Sequence, residues 1–308
     1  TAYDPNGFDS YTLEYSTGPN GPWTEISTSS TAVSSNGPLA SWNTTSVTQG
    51  YYFLRLTAFN STGLSNSVTS IIFVDKQFDT VDVRSPQNAQ ILGGGVCFDG
   101  TVQDGNSGVC FNNYRIDYAP LPAGSPFNPV NPGTPVYTTP VTNDGLGSWS
   151  TTSGGAAVPD GNYRIRVTGT DDCGNSRTVT RDVIIDNTRP VAEITGPASC
   201  GSIATGLIQI SGNVSDDHLA GWALQYTGGD AHGWVTIASG NTSVSGVLGT
   251  WNTAGLRPCS YTLRLLAGDA ASINCGGTNN QTEHLVSVKI GCPGDFNNSG
   301  AITVQDIF

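Results

Sequence analysis

The sequence predicts an all-β chain built from tandem β-sandwiches. Three observations predict it. Val, Ile, Thr, Tyr and Trp come in short runs punctuated by Gly, Asn and Ser, which is the composition of strands and turns. No apolar stripe of helical period occurs before the last few residues. Above all, the sequence repeats itself. One block reads Tyr11-Thr12-Leu13-Glu14-Tyr15, then Tyr114-Arg115-Ile116-Asp117-Tyr118, then Trp222-Ala223-Leu224-Gln225-Tyr226. A second begins at Leu39, Leu146 and Leu248 and carries Trp42, Trp149 and Trp251 at its fourth position. The third reads Tyr52-Phe53-Leu54-Arg55-Leu56, Tyr163-Arg164-Ile165-Arg166-Val167 and Tyr261-Thr262-Leu263-Arg264-Leu265. Order and spacing are kept in all three copies.

The junctions repeat as well. Val74-Asp75 precedes Val81-Asp82-Val83-Arg84-Ser85-Pro86, and Ile185-Asp186 precedes Ala192-Glu193-Ile194-Thr195-Gly196-Pro197. Boundaries therefore fall after Asp75 and Asp186, giving units 1–75, 76–186 and 187–292 and a tail, 293–308. In the third unit the strands are expected at 192–195 (A), 207–214 (B), 222–226 (C), around Val235, around Trp251 (E), at 261–267 (F) and at 284–290 (G). Period-2 alternation sends Arg55, Arg166 and Arg264 to the face opposite their apolar neighbours. Glu14, Asp117 and Gln225 then become cross-strand partners: Glu14–Arg55, Asp117–Arg166 and Gln225–Arg264. The recurring Trp and Tyr residues read as core. Trp23 and Trp234 lie at less constrained positions and are the candidates for exposed, sugar-stacking aromatics.

The Tyr-x-Leu-Arg-Leu block resembles strand F of immunoglobulin-like and fibronectin type III-like domains, where a Tyr near the start of F anchors a corner. Asp186-Asn187-Thr188-Arg189-Pro190 resembles the linker between tandem Ig-like repeats of bacterial surface proteins. The resemblance covers residues 1–292 and implies three tandem Ig-like sandwiches. The first lacks its A and B strands, because Thr1-Ala2-Tyr3-Asp4 aligns with Asn213-Val214-Ser215-Asp216 at the end of strand B. An apolar face and a sheet edge are then left to be covered. Two coverings stay open: upstream residues of a longer protein, or a strand donated by a neighbouring molecule, which would make the chain a fibre subunit.

Seven cysteines without zinc-type spacing point to disulfides and an oxidising, extracellular location. Strand direction places Cys110 and Cys173 at one end of the second unit. It places Cys200 and Cys259 at one end of the third. Cys97 and Cys275 face each other across the junction of the two units. These are the three candidate pairs, and Cys292 is left over.

The tail carries the sharpest chemical motif. Asp295, Asn297 and Ser299 supply side-chain oxygens at loop positions 1, 3 and 5, and Gly300 permits a sharp turn. Ala301 offers its carbonyl, Thr303 sits at position 9, and Asp306 closes the loop at position 12. Hard oxygen donors at this spacing suit Ca²⁺. The loop resembles the EF-hand-like calcium loop of type I dockerins, which implies a cohesin-like partner where such a module is complete. The sequence ends two residues into the helix that would follow.

With a formal net charge of −12 the chain offers nucleic-acid phosphates no basic surface. Its apolar runs, such as Ile71 to Val74, are too short for membrane insertion. There is no nucleophile elbow, zincin motif or phosphate loop. His218, His232 and His284 share no spacing, and no enzymatic activity is expected. Acidic pairs such as Asp171-Asp172 and Asp216-Asp217 sit at sandwich ends, as solvated turns or as calcium ligands between units. The sequence thus reads as a non-enzymatic, extracellular or cell-surface structural array of bacterial type. Its partners would be further copies of itself or other extracellular proteins. The alternatives are a spacer or polysaccharide-binding region of a secreted dockerin-bearing carbohydrate-active enzyme, or an adhesin.

Overall fold

A computed structural model describes residues 1–5, 7–105, 110–122, 124–272, 275 and 280–291. The calcium-loop residues Asp295, Asn297, Ser299, Ala301, Thr303 and Asp306 lie outside the described residues, as does Cys292. The described chain is β-structure and loop, with one 3-10 turn at Gly154–Ala156. Among the described residues no helix is long and apolar enough to cross a membrane. The chain divides into two compact units. The first is Thr1–Phe78 with Asp171–Ser176, and the second takes the rest of the described chain.

The first unit holds one antiparallel sheet. Its strands are β1 (Phe8–Ser16), β2 (Thr24–Ser29), β3 (Gly50–Asn60) and β4 (Ser65–Val74), in the order β2-β1-β3-β4. Among the described residues no strand corresponds to A or B, as expected. The Trp42 block is loop here, whereas its counterparts in the other repeats are strands. The reason is pairing: in those repeats this strand hydrogen-bonds to strand B, which the first unit lacks.

The second unit contains two full sandwiches. One comprises β5 (Thr80–Ser85), β6 (Ile91–Leu92), β7 (Gly95–Gln103), β8 (Phe111–Pro120), β9 (Asn128–Pro129), β10 (Val141–Ser150), β11 (Gly161–Asp171) and β12 (Ser176–Ile185). Its sheets are β10-β7-β5 and β6-β12-β11-β8-β9. The other comprises β13 (Val191–Gly196), β14 (Gly201–Ile203), β15 (Leu207–Ser215), β16 (Leu219–Gly228), β17 (Ala231–Gly240), β18 (Val244–Asn252), β19 (Cys259–Asp269) and β20 (Gln281–Ile290). Its sheets are β13-β15-β18 and β14-β20-β19-β16-β17. Every strand expected in the third repeat is present. The sequence did not suggest β6 and β14, which pair in parallel with β12 and β20 at the sheet edge. At two and three residues they are too short to show alternation.

The recurring blocks meet in the core. In each repeat their aromatic rings form a triad. Trp149 lies 4.7 Å from Tyr118 and 6.1 Å from Tyr163. Trp251 lies 5.0 Å from Tyr226 and 5.6 Å from Tyr261. Trp42 lies 4.6 Å from Tyr15 and 5.5 Å from Tyr52. Hydrogen bonds tie the blocks further. Tyr11 donates to the Leu39 carbonyl and Tyr114 to that of Leu146. Burial makes Tyr114 a weak acid, pushed up to about 12.

The expected tyrosine corner is present three times. Tyr52, Tyr163 and Tyr261 each donate to the carbonyl four residues upstream, at 2.9, 2.9 and 3.0 Å. Tyr261→Phe keeps the ring and removes this bond, leaving the Arg257 carbonyl without it. The expected cost is about 1 kcal/mol of stability, measured by urea denaturation.

Candidate functional site at the junction of the second and third sandwiches

The linker after β12 is held from both sides. On the second sandwich, the Asn187 N–H donates to Asp160 Oδ1 (2.6 Å), and Asn187 Oδ1 accepts from Gly94 N–H (3.0 Å) and Thr151 Oγ1 (2.6 Å). The Thr188 hydroxyl donates to Asp160 Oδ2. On the third sandwich, Asn280 Nδ2 donates to the carbonyls of Asp186 and Thr188, both at 3.2 Å. A parallel bridge joins Leu92 to Ser272, and Gln90 Nε2 donates to Ser272 Oγ at 3.0 Å. Gly93 must be glycine, since a Cβ there would stand 2.3 Å from the Asp186 carbonyl oxygen.

The disulfide expected between repeats is present: Cys97 in β7 is bonded to Cys275, with a Cα–Cα distance of 5.1 Å. The pairing expected for Cys200 and Cys259 is corrected, because both are exposed thiols. Cys200 leads into β14, its N–H donating to the Ser287 carbonyl of β20, while Cys259 pairs with Ile290 on the other side of β20. Two strand spacings, about 9.5 Å, exceed the ~4.4–6.8 Å Cα separation of a disulfide. The shared sandwich end was read correctly, but β20 lies between the two residues. Cys110 is half-buried and Cys173 exposed.

Carboxylates converge beside this linker. Asp186, Asp216 and His218 each present a ligand-type atom within 4.8 Å of the others. Asp186 directly follows β12, with Oδ1 accepting from Thr188 N–H (3.1 Å) and Oδ2 2.7 Å from His218 Nδ1. Asp216 follows β15 and accepts from His218 N–H at 2.7 Å. Asp269, the last residue of β19, is 2% exposed, and its Oδ1 accepts from Ala271 N–H at 2.9 Å. Burial pushes the Asp216 and Asp269 carboxyls above the usual carboxylate range, and the Asp186 charge adds to both shifts; Asn280 acts the other way on Asp269, and His218 on Asp216. The adjoining cleft, about 560 Å³, is also lined by Asp160, Arg189 and Asp217. The only sequence signals were the Asp216-Asp217 pair and the repeated Asp at the junction. The approach of Asp269 and His218 depends on the chain path.

The predicted cross-strand pairs form, each with a third member. Arg55 donates to Glu14 Oε2 at 2.9 and 2.7 Å, and its guanidinium lies 4.1 Å from the Trp23 ring centroid. Arg264 bonds Gln225 Oε1 and lies 4.0 Å from the Trp234 ring. Arg166 pairs with Asp117 at 2.9 Å and lies 3.8 Å from Phe127. Trp23 and Trp234 are thus capped on one face by arginine rather than standing free. The second pair is not merely a solvent-facing one, because Asp117 is buried and also meets Arg115 at 3.3 Å.

No family model and no curated protein matches the sequence. Among solved structures, it is similar to the FN1–FN3 domains of chicken CNTN1, at 11% identity over 93% of this chain and 91% of that one, with a TM-score of 0.33. It is similar to a bacterial ice-binding adhesin at 15% identity over 93% and 88%, with a TM-score of 0.32. A tetra-tandem repeat from the extending region of a large adhesion protein gives 16% identity over 94% and 68%, with a TM-score of 0.28. At such scores these likenesses carry no argument, and the fold rests on the strand pairings above.

Proposed function

We propose that the chain is a non-enzymatic, extracellular structural segment: an array of Ig-like repeats in a cell-surface, fibre-forming or adhesive protein. The observation that carries this reading is the junction of the second and third sandwiches. A linker hydrogen-bonded on both sides and stapled by Cys97–Cys275 suits a load-bearing rod, and the disulfide suits an oxidising compartment. In this reading the first repeat is the point of association. Its Leu54, Leu56 and Ala58 are only half-buried, while the matching Ile165 and Val167, and Leu263, Leu265 and Ala267, are sealed. The β12 and β20 edges each carry a short parallel strand, whereas β4 is its sheet's last strand and exposes Val68 and Ile71, with Leu64 exposed just before it. An added strand from a second copy would cover this edge. Light scattering across a concentration series, with electron microscopy, tests it. Growing assemblies or filaments are expected, and strictly monomeric particles at every concentration would remove self-association. Calcium binding by Asp295, Asn297, Ser299, Ala301, Thr303 and Asp306 belongs to the same proposal. It predicts heat of Ca²⁺ binding that Asp295→Asn abolishes at that site.

A further inference from the structure

We infer that the free side of β4, together with the outer face of the first sheet, binds an extended segment of a partner protein. The segment is taken up as a short parallel strand with two adjacent aliphatic residues of the Ile91-Leu92 type. The inference rests on the reading of the first repeat as the point of association and names what that point takes.

The two complete sandwiches show what this edge accepts. In the second, the Ala89 N–H donates to the Asp182 carbonyl, and the carbonyls of Gln90 and Leu92 accept from the N–H groups of Ile184 and Asp186. In the third, the Cys200 N–H donates to the Ser287 carbonyl, and the Ile203 carbonyl accepts from Gly291 N–H. Ala89 and Cys200 share a φ of 60°. The repeated junction, Val74-Asp75 and Ile185-Asp186, puts Ile71, Phe73 and Asp75 at the positions of Asp182, Ile184 and Asp186. Among the described residues no strand pairs with this side of β4. An incoming strand in the same register would donate to the Ile71 carbonyl and accept from the Phe73 and Asp75 N–H groups. Its aliphatic pair would stand beside Phe73 and Val74, as Ile91 and Leu92 stand beside Ile184 and Ile185.

The outer face requires an occupant that reaches beyond the edge. Tyr51 pairs with Phe73, and Phe53 with Ile71, across β3 and β4. The matching pairs in the third sandwich are Ser260–Lys289 and Thr262–Ser287. In the second, Arg164 and Asp182 replace Phe53 and Ile71 and are bonded twice at 2.7 Å. Polar residues thus hold these positions in the complete sandwiches, and apolar ones in the first. Tyr51 is 69% exposed, Ile71 59% and Phe73 40%, and the rings of Tyr51 and Phe73 lie 4.9 Å apart. An edge strand alone, like β6 or β14, lies beside β4 and leaves Tyr51 and Phe53 of β3 uncovered. Aromatic and aliphatic side chains gathered in one uncharged, exposed patch suit the centre of a contact with protein.

The test is a ¹⁵N NMR titration of the full chain with a synthetic peptide of residues 87–93, Gln87-Asn88-Ala89-Gln90-Ile91-Leu92-Gly93. It is run at the lowest protein concentration of the scattering series. Expected are amide shifts confined to residues 71–75 and to residues 51–53 facing them. The peptide carrying Ile91→Asp should bind about tenfold more weakly, the effect of losing one buried aliphatic side chain. Phe73→Pro removes the edge donor but not the β3 ladder, and should abolish binding. Phe53→Arg/Ile71→Asp installs the second sandwich's own ion pair at a register where this fold carries it. That variant should stay folded and bind about tenfold more weakly. No shift at millimolar peptide, or equal affinity for the Ile91→Asp peptide, would overturn the proposal. So would shifts centred on Leu54, Leu56 and Ala58, which would put the peptide on the inner face. Unchanged binding by a folded Phe53→Arg/Ile71→Asp variant would overturn it too, because the outer face would then take no part. Light scattering separates this proposal from the association reading. Peptide binding by a chain that stays monomeric upholds the edge and removes self-association, whereas assembly by a chain that ignores the peptide does the reverse.

Discussion

Trp149→Ala is expected to cost the second sandwich about 3–5 kcal/mol, enough to unfold many domains of this size. Trp149 is 1% exposed, stacks on Tyr118, and donates from Nε1 to the Ala156 carbonyl at 2.8 Å. Truncation would empty the centre of the sandwich and leave that carbonyl without its donor. The same change at Trp42 should cost far less, about 1–2 kcal/mol, because this tryptophan is only half-buried and its block is loop. Chemical denaturation of both variants would measure the difference. A comparable loss at Trp42 would mean that the first repeat is sealed after all. Trp251 offers an internal control. Its Nε1 is buried without a partner among the described residues, so Trp251→Phe removes an unsatisfied donor. Trp149→Phe breaks a satisfied one and should be the more damaging of the two.

These contrasts show what could be read before the fold was known. Strand identity was legible because alternation and three recurring blocks carry it. The Arg–acid pairs followed from the same alternation. The aromatic caps were within reach: Trp23 and Trp234 stand nine residues after Glu14 and Gln225, and Phe127 ten after Asp117. The Phe in place of Trp hid the repetition. Other features depend on how strands are ordered across a sheet. The separation of Cys200 from Cys259 needs β20 to lie between them, and the edge strands β6 and β14 need a neighbour before they are strands at all. The acid cluster is the extreme case. Asp186 and the Asp216–His218 turn share no local motif, and only the closure of two sandwiches over one linker brings them within 4.8 Å.

Breaking Cys97–Cys275 should be the second large effect. The bridge spans 178 residues of sequence, and closing a loop that long constrains the unfolded chain by about 5 kcal/mol in the chain-entropy account. Measured losses run lower, so Cys97→Ser/Cys275→Ser is expected to destabilise by about 2–5 kcal/mol. Each sandwich keeps its own core in the variant. The junction keeps the Leu92–Ser272 bridge and the Asn280 bonds to the linker. The structural consequence is therefore loss of coupling rather than loss of fold. In the oxidised parent, unfolding of the second sandwich leaves the third tethered through a short covalent path. In the variant the two should melt at separate midpoints. Calorimetry with and without reductant distinguishes the cases. Reductant should lower the parent's midpoint towards that of the variant. Cys200→Ser and Cys259→Ser should leave stability nearly unchanged, since those exposed thiols close no loop. Equal stability of parent and double variant would show that the hydrogen-bonded linker alone couples the two repeats, and the staple would then have no part in stiffening the array.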